Sequence, residues 1–440
     1  MNLGIDAKPY LLLLRREHNS RLFGKLMSRV VMKFGGTSVG DVERIARVAR
    51  LVAHERAQGN NIAVVVSAMS GETNRLVEMA NAAGAGLAED QFNDEYDVVV
   101  ASGEQVTTGL LALALRKIGV PARSWQGWQI PISSSDAHSV ARIAAINSPQ
   151  LTASIDAGTV AIIPGFQGMT EDERLTTLGR GGSDTSAVAV AAALGAKRCD
   201  IYTDVDGVYT TDPRITSKAQ RLAQISYEEM LEMASLGAKV LQTRSVELAM
   251  AKKVPVRVLS SFLEPGEPNP GTIVCDEEEI VEKQIVSGIA YSRDEAKLSL
   301  IGVEDHPGVA ALIFGTLADA NINVDMIVQA PSRTEGAVNM TFTMPEREAD
   351  RAKELMNASK SEIGFQNIIV KKDVSKVSVI GVGMRSHVGV AKIMFEALSK
   401  KGINIENIST SEIKISVLID ASYTELAVRA LHTAYGLDGE

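Results

Sequence analysis

Val30-Val31-Met32-Lys33-Phe34-Gly35-Gly36-Thr37-Ser38 is a β-branched run that ends in a lysine and passes directly into paired glycines. After it, Val42, Ile45, Val48 and Val52 keep helical spacing. Strand, glycine turn and helix in that order open a βαβ unit. Working outward, residues 62–66, 159–163, 200–203 and 255–259 read as further strands, and 183–194 as a helix stopped by Gly195. The alternation runs to about residue 261 and predicts an α/β fold, with a mainly parallel sheet between helix layers. Glycines at a strand end let backbone N–H groups approach an anion, and the following helix N-terminus adds favourable dipole charge. Lys33 adds a point charge suited to phosphate, and as a strand-end loop lysine it is expected to contribute little to the core. Because the lysine precedes the glycines, this is not a Walker A loop. Taken alone, the turn is equally compatible with an ordinary tight turn.

A second glycine loop, Leu178-Gly179-Arg180-Gly181-Gly182-Ser183-Asp184, also opens a helix. Ser183 or Asp184 can cap it. Arg180 offers a planar fork that grips a carboxylate through two parallel hydrogen bonds. Asp184 suits either a cap or a partner for a lysine. Thr203-Asp204-Val205-Asp206-Gly207-Val208-Tyr209-Thr210-Thr211-Asp212-Pro213-Arg214 leaves the carboxyl end of a strand, where open α/β sheets bind ligands. Its carboxylates lack the full calcium-loop pattern, and a plain turn is the alternative. Ser67-Ala68-Met69-Ser70-Gly71-Glu72-Thr73-Asn74 follows the 62–66 strand. Ser102-Gly103-Glu104 lies in an apolar helical stretch, where a buried Glu needs a cation and a solvated or capping Glu needs nothing.

The chain has 440 residues, enough for two or three domains, and 45% apolar with 22% charged residues fits a globular protein. A net charge of −9 argues against nucleic acid as the main partner. No apolar run is expected to approach the length of a membrane span. Two cysteines, Cys199 and Cys275, support neither a disulfide framework nor a zinc site and point to a reducing cytoplasm. Residues 1–29, with four consecutive leucines between basic residues, read as a non-catalytic extension, with Met27 as an alternative start. Residues 30–262 form the expected catalytic domain, and the Pro/Gly cluster and acidic run within 263–283 form a linker. Beyond it, His306, Gly308, Val309, Ala310, Phe314, Leu317, Ile322, Asn323 and Ile327 recur 81 residues later as His387, Gly389, Val390, Ala391, Phe395, Leu398, Ile403, Asn404 and Ile408. The first copy is expected over 292–373 and the second over 374–440. The second lacks a final strand, and the strand-like 284–291, which has no place in the first, is expected to complete it.

Six motifs in order resemble the aspartokinases of the amino-acid kinase family over nearly everything from Val30 to Leu437. They are the Lys33 and Ser67 turns, Ser102-Gly103-Glu104, the Arg180 loop, the segment from Tyr202 to Arg214, and Gly237-Ala238-Lys239-Val240-Leu241. The repeat resembles two ferredoxin-like βαββαβ ACT modules, which bind amino-acid effectors. This resemblance implies that ATP, carried with Mg2+, phosphorylates the side chain of L-aspartate. Lys33 is then expected at the transferring phosphoryl group, with Gly35 and Gly36 donating N–H bonds and Asp184 holding Lys33. Arg180 is expected on the α-carboxylate of aspartate and Glu104 on its ammonium, with Thr73, Ser183 and Phe166 completing the pocket. Phe34, Ser67, Thr203, Asp204, Tyr209, Arg214 and Lys239 are expected to serve the nucleotide. No dedicated protein metal site is expected.

The resemblance also implies feedback by lysine, threonine or both, and a homo-oligomer built through ACT modules. Asp305 and Gly308 lie in the glycine turn of the first copy. Asp325 and Gln329 are four apart on the next strand, hence expected on one face. Asn404 and Ile405 are expected to contribute from the second copy. A solvated strand residue is the alternative for Asp325. The rival functions are a glutamate or N-acetylglutamate kinase and an inactive amino-acid sensor.

Overall fold

The computed structural model describes residues 28–147, 149–237, 240–280 and 284–439. The extension before Ser28, the alternative start Met27 and the expected nucleotide ligand Lys239 lie outside the described residues. Among the described residues, those from 28 to 202, with Phe262–Glu267, form one compact unit, and those of 203–261 and 268–439 form another. This division falls inside the stretch 30–262.

The first unit is built on parallel strands β1 (Arg29–Phe34), β2 (Asn61–Val66), β3 (Ala122–Ser124), β6 (Val160–Pro164) and β9 (Arg198–Thr203), in the order β9-β1-β2-β6-β3. β2 and β6 are buried along their whole length. Strands covered on both faces read as continuous apolar runs rather than as alternation, which is why these were legible. Helix α1 (Val42–Ala57) starts where Asp41 accepts a bond from Arg44 N at 2.7 Å, and it buries Ile45, Val48, Ala49 and Val52. Helices α2 (Glu72–Ala83), α3 (Glu89–Val100), α4 (Ser102–Lys117) and α5 (Pro149–Asp156) follow. Helix α6 (Gly182–Ala193) is buried on nearly every side, which its run of Ala and Val permits. A second sheet was not foreseen, because its strands are only three or four residues long. It orders β4 (Ile132–Ser134), β5 (Ile143–Ile146), β7 (Gln167–Met169) and β8 (Leu175–Thr177) as β5-β4-β7-β8.

One expectation needs correction. Among the described residues, the helical stretch Glu89–Lys117 is long and apolar enough to cross a membrane, and half of its most apolar window is buried inside the protein. It divides into α3 and α4 at Ala101, carries the buried carboxylates Asp97 and Glu104, and turns Val100, Leu111 and Leu115 into the core while Val98, Val106 and Leu113 stay exposed.

In the second unit β10 (Gln224–Ser226) pairs with β12 (Thr272–Cys275), which also pairs with β11 (Val256–Ser260). The helices here are α7 (Tyr227–Ser235) and α8 (Thr243–Lys252). A six-stranded sheet follows, with the order β14-β15-β13-β16-β18-β17. Its strands are β13 (Gly288–Glu304), β14 (Asp325–Pro331), β15 (Ala337–Met344), β16 (Asn367–Ile380), β17 (Asn407–Thr410) and β18 (Lys414–Asp420). Helices α9 (Val309–Asp319), α10 (Ala349–Ala358), α11 (Lys360–Ile363), α12 (Val390–Lys400) and α13 (Thr424–Ala434) accompany it. Two long strands serve both copies of the repeat. Residues 297–301 of β13 pair with 367–371 of β16, and 288–292 pair with 376–380, with irregular register between. The strand before the first copy therefore lies in the second copy's sheet, starting at Gly288, and 373/374 falls within a continuous strand. Each copy keeps its own apolar core, around Ile313, Leu317 and Phe342 in the first and Met394, Leu398 and Val417 in the second.

Candidate active site

In the first unit the carboxyl ends of three adjacent strands form a ledge. Ser67 N donates to Phe34 O at 3.1 Å, and Gly165 N donates to Val66 O at 2.9 Å. The turns after β1, β2 and β6 therefore sit side by side, where a parallel sheet offers its ligand crevice. A Cβ on Gly36 would lie 3.0 Å from Ala68 O, so a side chain there would press the first of these turns against the backbone of the second.

Lys33 is the next-to-last residue of β1 and is not the loosely held lysine expected. It is buried, and its Nζ lies 2.5 Å from Asp184 Oδ1 in the first turn of α6. The contact is a charge pair without well-aligned hydrogen-bond geometry. Phe34, the last residue of β1, is fully buried, its ring stacking on Tyr202 at 4.6 Å and its carbonyl accepting from Ser67 N.

Glu104, in the first turn of α4, is 2% exposed. Its Oε1 accepts from Ala68 N at 3.0 Å, and its Oε2 has no hydrogen-bond partner. Burial pushes its carboxyl up to about 7, against a smaller opposing pull from the Ala68 amide. Such a group is a ready counter-charge for a cation brought in by a ligand. Ser183 is buried and Thr73 half-buried at the starts of their helices, whereas Arg180 is exposed and pairs with no carboxylate among the described residues. Phe166 sits at a φ of +68°, its N–H donating to Ser186 Oγ at 3.1 Å and its carbonyl accepting from Leu178 N at 2.9 Å. A Cβ on Gly182 would lie 2.8 Å from the Phe166 ring, so the ring is held directly against the start of α6.

In the second unit, Thr203 Oγ1 donates to Asp204 at 3.1 Å and Tyr209 OH to Asp206 at 2.9 Å. Arg214 is exposed and already paired with Asp212 at 2.7 Å. In the repeat, Gly308 caps α9 with a φ of +100°, while Asp305 and Asn404 are exposed and Ile405 half-buried. Asp325 pairs with the buried Lys376 at 2.8 Å. Asp325 and Gln329 are not on one face. Asp325 lies opposite Thr343 and Val328 opposite Thr341, so β14 carries one extra residue, and Gln329, opposite Met340, turns the other way.

The amino acid kinase family model matches residues 28–260, more than half of the chain. The chain belongs to the amino acid kinase family. An ACT domain model matches 298–359 and 377–435, one segment in each copy of the repeat. Over 94% of its length the chain is 55% identical to an aspartate kinase of Pseudomonas fluorescens, covering 98% of that protein. The structure of E. coli aspartokinase III with aspartate and ADP shares 28% identity and a TM-score of 0.74, covering 92% of this chain and 99% of that one. The same enzyme with lysine and aspartate shares 29% identity and a TM-score of 0.72, covering 92% and 98%.

Other residues of this amino acid kinase escaped sequence reasoning. Asp97 is fully buried and bonded to His138, Ser139 and Thr177. In the second unit the loop residue Thr210 meets His432 of α13 at 2.8 Å, and His432 meets Asp438 at 2.8 Å. Glu229 of α7 accepts from Ser287 Oγ at 2.6 Å and Val382 N at 2.9 Å. Nothing in the sequence flags contacts between residues this far apart.

Proposed function

We infer that this enzyme is an ATP-dependent aspartate kinase, moving the terminal phosphoryl group of ATP to the β-carboxylate of L-aspartate to yield 4-phospho-L-aspartate and ADP. The observation that carries this reading is Glu104, a buried carboxylate with one oxygen unpartnered, which suits a free ammonium and disfavours an N-acetylated substrate. Arg180, with its guanidinium uncommitted, suits the α-carboxylate. Thr73, Ser183 and the Phe166 ring fit the remaining walls.

The reaction needs no general base, because a carboxylate with an ordinary pKa of about 3.9 is already ionised at neutral pH. Its oxygen forms the new bond to phosphorus while the bond from phosphorus to the leaving ADP oxygen breaks. The barrier is the approach of an anion to a polyanion, so positioning and charge neutralisation do the chemistry. Lys33, aligned by Asp184, meets the transferring group as a cation, and Gly35 and Gly36 offer backbone N–H groups. Ser67, Thr203, Asp204, Tyr209 and Lys239 are assigned to the nucleotide, with Arg214 released from Asp212 for that role. Among the described residues no three His, Cys, Asp or Glu side chains gather to hold a metal. Mg2+ is assigned to the nucleotide, where it would neutralise phosphate charge.

The ACT modules support feedback by an end product. Lysine is the effector favoured here, since aspartokinase III of E. coli was solved with it. We place the enzyme at the head of lysine, threonine and methionine synthesis, in the cytoplasm, as a homo-oligomer through its ACT modules. A hydroxamate assay with aspartate, glutamate and N-acetylglutamate tests the substrate. Preference for either alternative, or no activity with all three, refutes the reading.

A further inference from the structure

We propose that Asp97 is a positioning residue for Arg180, fixing the arm that carries the guanidinium to the substrate's α-carboxylate. The proposal rests on the assignment of Arg180 made above.

Asp97 has no exposed surface, and a carboxylate is tolerated there only if donors fill its lone pairs. They do so from two segments. Thr177 Oγ1 donates to Oδ1 at 2.6 Å, and Ser139 N approaches Oδ2 at 2.9 Å and Oδ1 at 3.2 Å. His138 Nδ1 lies 2.9 Å from Oδ2, where a proton on Nδ1 bonds the carboxylate. Thr177 is the last residue of β8, and only Leu178 and Gly179 separate it from Arg180. The same loop that supplies His138 and Ser139 also grips Thr177 by its backbone, Ala141 N donating to Thr177 O at 3.0 Å. It then lies against the arm, since a Cβ on Gly179 would stand 3.2 Å from Ser139 O. At its other end β8 is tied to α3 as well, Arg174 pairing with Asp94 at 2.7 Å and Glu95 at 2.8 Å.

Helix α3 thus holds β8 at both ends, and Asp97 is the joint at the end that leads to Arg180. Arg180 has no ion-pair partner of its own among the described residues, so the backbone from 177 to 179 sets where its guanidinium starts. Two-pronged recognition of a carboxylate depends on the plane and position of that fork. A loosened joint therefore weakens aspartate binding without touching the phosphates. A role confined to stability would spread its cost over every kinetic constant or over none.

The test is a double-mutant cycle on the full chain with Asp97→Asn, Arg180→Ala and the two combined, measuring KM for aspartate and for ATP and kcat. Asparagine keeps the shape but turns an N–H2 group toward donors. Asp97→Asn is expected to raise the aspartate KM about tenfold, with ATP KM and kcat within about twofold. The combined variant is expected to match Arg180→Ala alone, because the joint no longer has an arm to aim. An unchanged aspartate KM in Asp97→Asn, an equal rise for ATP, or multiplicative effects in the combined variant would overturn the proposal. If Arg180→Ala leaves the aspartate KM unchanged, the assignment of Arg180 fails instead, and the proposal with it. Should Asp97→Asn not fold, Thr177→Val removes one donor at constant shape. It is expected to shift aspartate KM about threefold in the same direction, and no shift would overturn the proposal.

Discussion

Glu104→Gln tests the substrate site and the energetic cost of building it in one experiment. The Glu104 carboxyl ordinarily titrates near 4.5, and burial pushes it up to about 7. The folded state therefore holds this proton more tightly than the unfolded state. Its contribution to stability is full below about pH 4.5, falls as pH rises towards 7, and is flat above that. At about 1.4 kcal/mol for each pH unit, the ionised group costs the substrate-free enzyme on the order of 3 kcal/mol at pH 8. Glutamine removes the charge, keeps the size, and retains an acceptor for Ala68 N. Denaturation in urea at pH 8 should show the variant more stable by about 1–3 kcal/mol, and near pH 4.5 the difference should close. Activity should move the opposite way. An aspartate ammonium facing an amide loses its charge partner, and the aspartate KM should rise about a hundredfold or more, with ATP KM little changed. In the parent, kcat/KM for aspartate should climb with pH through about 7 as Glu104 ionises, and the variant should lose that inflection. A glutamine variant less stable than the parent at pH 8, or one with a near-normal aspartate KM, would refute the reasoning.

Lys33→Ala should abolish measurable turnover and also lower stability, because it leaves the buried Asp184 without its cation; adding Asp184→Asn should recover stability but not activity, as read by melting curves beside turnover. A Lys33→Ala enzyme with near-normal turnover would contradict the assigned role. His432→Gln should raise the ATP KM several-fold with little change for aspartate, since it loosens Thr210 beside the nucleotide-loop residue Tyr209; an unchanged ATP KM would separate this contact from nucleotide binding. Asp325→Ala should flatten the inhibition curves for lysine or threonine, whereas curves superposing on the parent's would move the effector site elsewhere.

Much of the catalytic fold is legible in the chain because its information is local. Strands buried on both faces appear as unbroken runs such as Ile62-Ala63-Val64-Val65-Val66, and the turns that follow must carry glycine where backbones meet closely. The repeat is legible for the same reason, since each copy packs a similar core and so spaces its apolar residues alike. Only the tertiary structure decided what depends on partners distant in sequence. Asp184 could serve as a cap or as a lysine's partner, and Lys33 reads as a loosely held lysine; only the packing of α6 against β1 makes them a buried pair. Glu104 could have been solvated; its burial depends on the packing of α4 beneath the Ala68 turn. One extra residue in β14 turns Gln329 away from Asp325, because strand faces alternate with period two and a bulge resets the count without altering the local sequence pattern. Asp97 looks like one more acid in Asp94-Glu95-Tyr96-Asp97, and its selection for the interior follows from donors 41 and 80 residues away. Periodicity reports which face of an element is buried, but it carries no record of which polar groups will meet there, and those meetings set the charges of the site.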